Sequence, residues 1–283
     1  MFLLLLFNLM FLSPDSSLIK EKELTGFKNA ISMVSDSKGY LYVLDNESNE
    51  LIKIDDKLNI IKRIGKKGWN SGEFDSPTFV DCSTGLDIYV SDGKNYRVQR
   101  FDLNLSFISS LVTNTVTFDE KLKFDNPFAS VNINSSDLYV LDGDNKRIVV
   151  FQNGLTPLTS FGGFQSAETP FMKPTKILKD GNNLIYILDK MRSSVDVYDN
   201  FGSFIKTYNF PGLISISIYN NFLYFLTGNE IISYDINRKA YKERISMIDY
   251  LNGTNSINDF LVYSDKEIYT LEKNKLILFI FIK

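Results

Sequence analysis

Short apolar stretches alternate with polar turns along almost the whole chain, and the segment 72–102 shows the pattern most clearly. Short runs of apolar and β-branched residues, bounded by Gly, Asp, Asn and Ser, are typical of β-strands separated by tight turns. From this segment onward the pattern predicts four strands, roughly at Thr78–Cys82, Asp87–Ser91, Val98–Phe101 and Ser106–Leu111. No window shows a 3.6-residue period long enough for paired helices, which disfavours a helical solenoid.

The second of these strands belongs to a motif, apolar-Tyr-x-x-Asp, that recurs at intervals of roughly 45 residues. Its tyrosines are Tyr42, Tyr89, Tyr139, Tyr186, Tyr224 and Tyr269. The acidic position is occupied by Asp45, Asp92, Asp142 and Asp189, and by Thr227 and Glu272 in two degenerate repeats. In repeats two to four, a Phe and a Pro precede the motif at a constant spacing. This regularity indicates six copies of one structural unit.

Four strands in a unit of about 45 residues are typical of a β-propeller blade. The sequence therefore predicts an all-β fold, a six-bladed β-propeller with four-stranded blades. The sixth repeat stops after its third strand, whereas Leu18–Leu24 precedes the first repeat and resembles the fourth strands elsewhere. We expect this N-terminal strand to complete the last blade and close the ring, because the entropy cost of loop closure grows only slowly with length.

The first residues form an apolar run, Phe2–Leu12, interrupted only by Asn8. About 20 apolar residues are needed to span a bilayer, and this shorter run fits the hydrophobic region of a signal peptide. We therefore predict a signal peptide at residues 1–16, a single propeller domain at 17–283, export from the cytoplasm, and no transmembrane helix in the mature chain. No Lys or Arg precedes the run, so a misassigned start codon or a buried first strand are the alternatives.

The composition disfavours several kinds of functional site but does not identify the one that is present. The net charge of −3 gives no basic field for a phosphate backbone, so we expect no nucleic-acid partner. The chain has no His, the commonest metal ligand and general base, and a single Cys. We expect no cofactor and no tight zinc or copper site. Calcium stays possible, because carboxylate and carbonyl oxygens can bind it.

The second repeat resembles the NHL repeat, the unit of six-bladed NHL propellers. The matching residues are Gly68, Gly72, Phe74, Pro77, Tyr89, Asp92, Asn95, Arg97 and Phe101, and the third repeat matches through Phe124, Pro127, Tyr139, Asp142, Asn145, Arg147 and Phe151. The fourth repeat departs from the pattern, with Arg192 and Ser194 where Asn and Arg are expected. The resemblance covers about residues 18–283. It implies the fold, and it says little about function because propellers have many activities.

Two sets of residues are candidates for a role. A carboxylate that ends a strand and an Arg that follows it can form a charge-assisted contact, so we assign Asp92, Arg97, Asp142 and Arg147 a structural role between blades. In propellers, the linkers between blades and the loops joining second to third strands emerge on one face, here called the loop face. Large side chains in its polar segments are candidate partner-binding anchors: Trp69, Tyr96, Phe164, Met191 and Arg192. The alternative is that they fold back and cap the ring.

Three functional classes compete: partner binding, enzymatic activity (a hydrolase or a lyase) and RNA binding. We favour a non-catalytic exported protein that binds a protein or peptide partner on the loop face. The alternative is a hydrolase resembling the calcium-dependent lactonases, with oxygen ligands in the central channel drawn from Asp81, Asn132, Asn258 and Asp259. RNA binding, which is known among NHL propellers, would need a basic face. A zinc-dependent lyase of the NHL group is disfavoured because His ligands are lacking.

Overall fold

The computed structural model describes residues 17–113, 117–134, 136–162, 170–228, 230–247, 250 and 257–282. These residues form six four-stranded antiparallel sheets. The innermost strands of the sheets contact one another in a closed cycle, so the sheets surround a central channel as blades. The all-β, six-bladed propeller predicted from the sequence is therefore confirmed.

Each of the first three blades is a simple meander from the channel outward. Blade 1 consists of β2 (Ala30–Ser35), β3 (Leu41–Asp45), β4 (Glu50–Ile54) and β5 (Ile60–Ile64). Blade 2 consists of β6 (Pro77–Asp81), β7 (Asp87–Asp92), β8 (Arg97–Asp102) and β9 (Phe107–Leu111). Blade 3 consists of β10 (Pro127–Ile133), β11 (Asp137–Asp142), β12 (Arg147–Gln152) and β13 (Thr156–Gly162). The strands predicted for blade 2 match the observed ones to within one residue at nearly every end.

The next two blades repeat this meander, and the last one ends a strand early. Blade 4 consists of β14 (Pro174–Lys179), β15 (Ile185–Asp189), β16 (Ser194–Tyr198) and β17 (Phe204–Asn209). Blade 5 consists of β18 (Ser215–Tyr219), β19 (Phe222–Leu226), β20 (Glu230–Asp235) and β21 (Ala240–Ser246). Blade 6 takes β22 (Ile257–Val262), β23 (Glu267–Glu272) and β24 (Lys275–Ile282) from the C-terminal end of the chain.

The fourth strand of blade 6 is β1 (Ser17–Thr25), which pairs antiparallel with β24 from Ser17 opposite Ile282 to Thr25 opposite Lys275. Strand β1 is joined covalently to blade 1 and docks on blade 6. The predicted closure of the ring by Leu18–Leu24 is therefore confirmed. Leu18 is buried at this junction, whereas its neighbour Ile19 is about half exposed.

Burial explains the sequence pattern of the blades. The second strand of a blade packs against adjacent blades on both faces, so in blade 1 all of Leu41–Asp45 is buried and reads as a continuous apolar run. The outermost strand has water on one side, and most of β5 is exposed. The motif tyrosines also link blades: Tyr42 donates to the carbonyl of Leu103 in blade 2 (3.0 Å) and Tyr139 to that of Asn200 in blade 4 (2.7 Å).

Helix is nearly absent from the described residues. The two single-turn 3₁₀ segments are Gly93–Asn95 and Glu120–Leu122. No helix within the described ranges has the length and apolar character needed to cross a bilayer.

Candidate functional site

The central channel is divided into two cavities that open on opposite ends of the ring. The upper cavity, of about 270 Å³, opens on the loop face. It is lined by the first residues of the inner strands and by parts of two second-to-third-strand loops, among them Asn46, Thr175, Lys176, Lys190, Asn258 and Asp259. The lower cavity, of about 870 Å³, opens on the other face, among the loops that join first to second strands.

A buried ion pair lies between the two cavities. The strand registers place Lys176, Ser215 and Asp259 at equivalent positions of the inner strands of blades 4, 5 and 6, one level inside the loop face. Lys176 Nζ lies 2.5 Å from Asp259 Oδ1, and Ser215 Oγ donates to the same oxygen at 2.7 Å. The backbone N–H of Met33 in blade 1 donates to the other oxygen (3.1 Å). One carboxylate therefore ties four blades together.

The four channel oxygens predicted from the sequence do not converge. Asn258 and Asp259 line the upper cavity, Asp81 lines the lower one, and Asn132 lines neither. The carboxylate of Asp259 also forms an ion pair with Lys176. The carboxylate of Asp81 accepts hydrogen bonds from the Ser83 hydroxyl (2.9 Å) and from two backbone N–H groups. Within the described ranges, no three His, Cys, Asp or Glu side chains are grouped so that they could hold a metal ion. The four residues therefore lie apart in the structure and do not form one set of oxygen ligands.

Asp81 is a titratable group of the lower cavity whose pKa is clearly shifted by its surroundings. Burial raises its pKa to about 6, although hydrogen bonds from Ser83 and Asn132 and the charge of Lys179 act in the opposite direction. A raised carboxyl pKa means that the folded protein binds this proton more tightly than the unfolded chain does. The protonated Asp81 therefore stabilises the folded protein. This contribution is complete below the pKa of the unfolded chain, about 4, and is lost as the pH rises towards 6.

We predict that Asp81→Asn removes this pH dependence. The free energy of unfolding of the wild type, relative to the variant, should fall by up to about 3 kcal/mol between pH 4 and pH 7, because each pKa unit is worth about 1.4 kcal/mol. Denaturant unfolding at several pH values measures the difference. A constant difference across this range would show that Asp81 titrates normally.

Trp69 lies in the linker from blade 1 to blade 2, residues 65–76, whose backbone is held in place by hydrogen bonds from Arg97. Arg97 donates to the carbonyls of Trp69 (2.7 Å), Asn70 (3.1 Å) and Glu73 (2.9 Å). The Glu73 carboxylate packs over Gly68, where an added Cβ would lie 2.1 Å from one of its oxygens and would push that side chain aside. The Trp69 side chain is nevertheless 59% exposed. Hydrogen bonds thus hold the linker backbone in place, and more than half of the Trp69 side chain is open to solvent.

The other proposed anchors differ in their surroundings. Tyr96 and Met191, in the second-to-third-strand loops of blades 2 and 4, are 51% and 63% exposed. Arg192 is not an exposed anchor, since its guanidinium forms an ion pair with the buried carboxylate of Asp196 at 2.5 Å. Blade 4 departs from the repeat here: the Arg lies in the loop at position 192, instead of at the start of the third strand, and it pairs with Asp196 of that strand. Phe164 lies outside the described residues.

Sequence reasoning missed two exposed apolar side chains of the loop face. Phe118, in the linker to blade 3, is 99% exposed, and Met172, in the linker to blade 4, is 42% exposed. Both lie in segments whose unusual length marked them as part of the loop face. For Phe118 the signal was a large apolar residue between polar neighbours, whereas Met172 follows Phe171 and lacks that signal.

The Asp–Arg pairs act on the linkers between blades. Asp92 is fully buried, accepts from the Asp75 backbone N–H (2.8 Å) and from Arg97 Nε (2.9 Å), and so fastens the linker to the second strand of the blade it enters. The Asp142–Arg147 contact is longer, at 3.7 Å. Burial raises the pKa of both carboxyl groups, and hydrogen bonds to their charged forms oppose it. These four residues therefore contact the connection between blades rather than the neighbouring sheet.

Comparison with solved structures finds propellers of the same architecture. A streptogramin B lyase structure matches with a TM-score of 0.65 and 13% identity, covering 95% of this chain and 98% of the other. Virginiamycin B lyase from Staphylococcus aureus matches with a TM-score of 0.61 and 11% identity over 94% of this chain and all of the other. A catalytically inactive variant of that enzyme, with His replaced by Ala and quinupristin bound, matches with a TM-score of 0.60, 15% identity and coverage of 89% and 80%.

At this identity the likeness shows the fold alone. No protein family matches the sequence in a scan of family profiles, and no curated protein matches it either. The protein is thus a six-bladed β-propeller.

Proposed function

We propose that this protein is a non-catalytic, exported propeller of the NHL type that binds a protein or peptide partner on its loop face. The NHL assignment is supported by the second and third repeats, whose Asp92–Arg97 and Asp142–Arg147 pairs fasten the linkers. Export is supported by the N-terminal apolar run. The exposed apolar side chains on a rigid frame support the binding role.

One observation carries the proposal: the exposed indole of Trp69 stands on a linker that many hydrogen bonds hold in place. Exposing a large aromatic side chain forgoes the free energy that its burial would give, about 25 cal/mol per Å². A linker immobilised before binding loses little further entropy when a partner docks. Trp and Tyr are also the residues that most often dominate binding energy at interfaces.

The lyase chemistry of the structural neighbours is not proposed for this chain. The variant of virginiamycin B lyase whose His is replaced by Ala is described as catalytically inactive. This chain has no His with which to supply an equivalent group. The described channel residues also offer no cluster of ionisable ligands for a metal ion.

We predict that Trp69→Ala weakens partner binding by about tenfold or more, the effect of about 1.4 kcal/mol. The partner is first identified by quantitative mass spectrometry of proteins retained from an extract of the source cells. Its Kd is then measured with purified components for the wild type and for Trp69→Ala, Tyr96→Ala and Met191→Ala. Folding should be nearly unchanged, because exposed substitutions usually shift stability by about 0.5 kcal/mol.

Phe201→Ala is the matched control, because Phe201 is 82% exposed but lies in a third-to-fourth-strand loop on the opposite face. Its Kd should stay within about twofold of wild type. If the well-folded Trp69→Ala, Tyr96→Ala and Met191→Ala variants all bind like wild type, the partner does not use this face. A marked loss of thermal stability in Trp69→Ala would instead indicate that the indole caps the ring.

A further inference from the structure

The upper cavity is positively charged although the whole protein is acidic. Two ammonium groups line it, those of Lys176 and Lys190, and Lys173 lies close enough to influence Lys190. Asp259 is the one carboxylate in its described lining, and it is paired with Lys176 at 2.5 Å. The charge of Lys190 is therefore left without a partner in the cavity, in a chain with a net charge of −3.

Lys190 and Thr175 are two polar residues of this lining whose side chains have no ion-pair or hydrogen-bond partner among the described residues. Within the described part of the chain, no carboxylate lies within ion-pair distance of Lys190, and Thr175 Oγ1 is buried without a hydrogen-bond partner. Desolvation lowers the pKa of Lys190, the charge of Asp259 opposes this, and Lys176 and Lys173 add to the lowering. Lys190 is an exposed residue whose ammonium keeps access to water, whereas the buried Thr175 hydroxyl without a partner is costly. An anion in the cavity would satisfy both.

We propose that the upper cavity binds one carboxylate group of the partner, with Lys190 as its counter-ion and Thr175 as a hydrogen-bond donor. This inference rests on the proposed function of the loop face, since the cavity opens on that face. The cavity, at about 270 Å³, is below the roughly 300–1,000 Å³ typical of whole small-molecule sites, so it fits a side chain or a chain terminus. Its one unpaired ammonium matches the single charge of a carboxylate, whereas a phosphate monoester carries about two charges.

Short peptides serve as probes and separate the two sources of a carboxylate. Ac-Ala-Glu-Ala-NH₂ offers only a side-chain carboxylate, Ac-Ala-Ala-Ala-OH offers only a terminal one, and Ac-Ala-Gln-Ala-NH₂ offers neither. We expect calorimetry to detect binding of at least one of the first two and not of the third. Inorganic phosphate is the fourth probe, and we expect it to bind more weakly than the better carboxylate.

Lys190→Met should weaken binding of the carboxylate probe by about tenfold or more, whereas Lys190→Arg should retain most of it because the charge stays. Lys94→Met is the matched control: Lys94 is exposed on the same face, in blade 2, and its loss changes the net charge equally. Its affinity should stay within about twofold of wild type. Equal losses in Lys190→Met and Lys94→Met would reveal a general charge effect and overturn the proposal.

Acylation of the wild-type protein tests the site without a substitution. Mass spectrometry can follow the reaction of each lysine with an amine-selective acetylating ester, and the carboxylate probe should slow the reaction at Lys190 at least severalfold but not at Lys94. Absence of protection, absence of binding by every carboxylate probe, or stronger binding of phosphate would each overturn the inference. If partner binding depends on Trp69 but not on Lys190, the inference fails while the proposed function stands.

Discussion

Removing residues 1–24 should destabilise the ring severely relative to a chain that starts at Ser17. Strand β1 pairs along its whole length with β24, and without it β24 becomes an exposed edge with the sequence KLILFIFI. Each lost backbone hydrogen bond costs about 0.5–1.5 kcal/mol net, and exposing Leu18 adds about 2 kcal/mol. The total is comparable with the whole stability of many domains, which is about 5–15 kcal/mol. Thermal and denaturant unfolding of the two chains measures the difference.

A matched pair of point variants separates ring closure from simple loss of chain. Leu18 is buried and Ile19 is about half exposed, although both are aliphatic residues of the same strand. Leu18→Ala should cost about 2–5 kcal/mol and Ile19→Ala about 0.5 kcal/mol. The truncated chain should also aggregate, because an unpaired apolar edge is a template for intermolecular pairing. Equal melting temperatures for the two chain lengths would refute the closure role of β1.

The parts of the fold that the sequence predicts are those that repeat or act locally. Tyr42 and its five equivalents mark every blade, because each second strand must be buried on both faces and its tyrosine packs against a neighbour. Closure by Leu18–Leu24 could be predicted because the last repeat lacks one strand and the N-terminal segment supplies one. In both cases the pattern can be recognised within one blade, and comparison with the other five repeats makes it clear.

The channel could not be predicted to the same extent, since its chemistry depends on which residues break the repeat. Asp259 was recognised as a channel residue, but its partner Lys176 lies 83 residues away in a strand, PTKILK, that resembles an exposed one. Only the register relative to the tyrosine motif places both side chains at one level. Aligning the six inner strands on that motif would have paired them.

On the loop face, too, the sequence predicts some features of the candidate site and not others. Trp69 and Tyr96 could be selected because large aromatic residues in polar loops stand out in the sequence, and both are exposed. Arg192 stands out equally, yet its exposure depends on Asp196, two positions into the next strand. Side-chain type therefore identifies candidates, while the departure of one blade from the repeat decides which of them are free.

Asp259→Ala should cost about 3–5 kcal/mol of unfolding free energy, the typical effect of removing one partner from a buried ion pair. The variant would leave the ammonium of Lys176, which is 7% exposed, without a counter-charge in the channel. Ser215 and the Met33 backbone N–H would also lose their acceptor. Glu120→Ala removes the same charge from an ion pair whose Glu is 81% exposed, and should change stability by about 0–1 kcal/mol.

A double variant shows whether the cost arises from the orphaned charge or from lost packing. Lys176→Met should cost less than Asp259→Ala, because the carboxylate keeps Ser215 and two backbone N–H groups as donors. Lys176→Met combined with Asp259→Leu replaces the ion pair with apolar groups of similar size, which is often neutral or stabilising. We therefore expect the double variant to be clearly more stable than Asp259→Ala when unfolding is measured in denaturant. If it is equally unstable, the carboxylate is needed for its hydrogen bonds to several blades, and the charge of Lys176 is incidental to the ring.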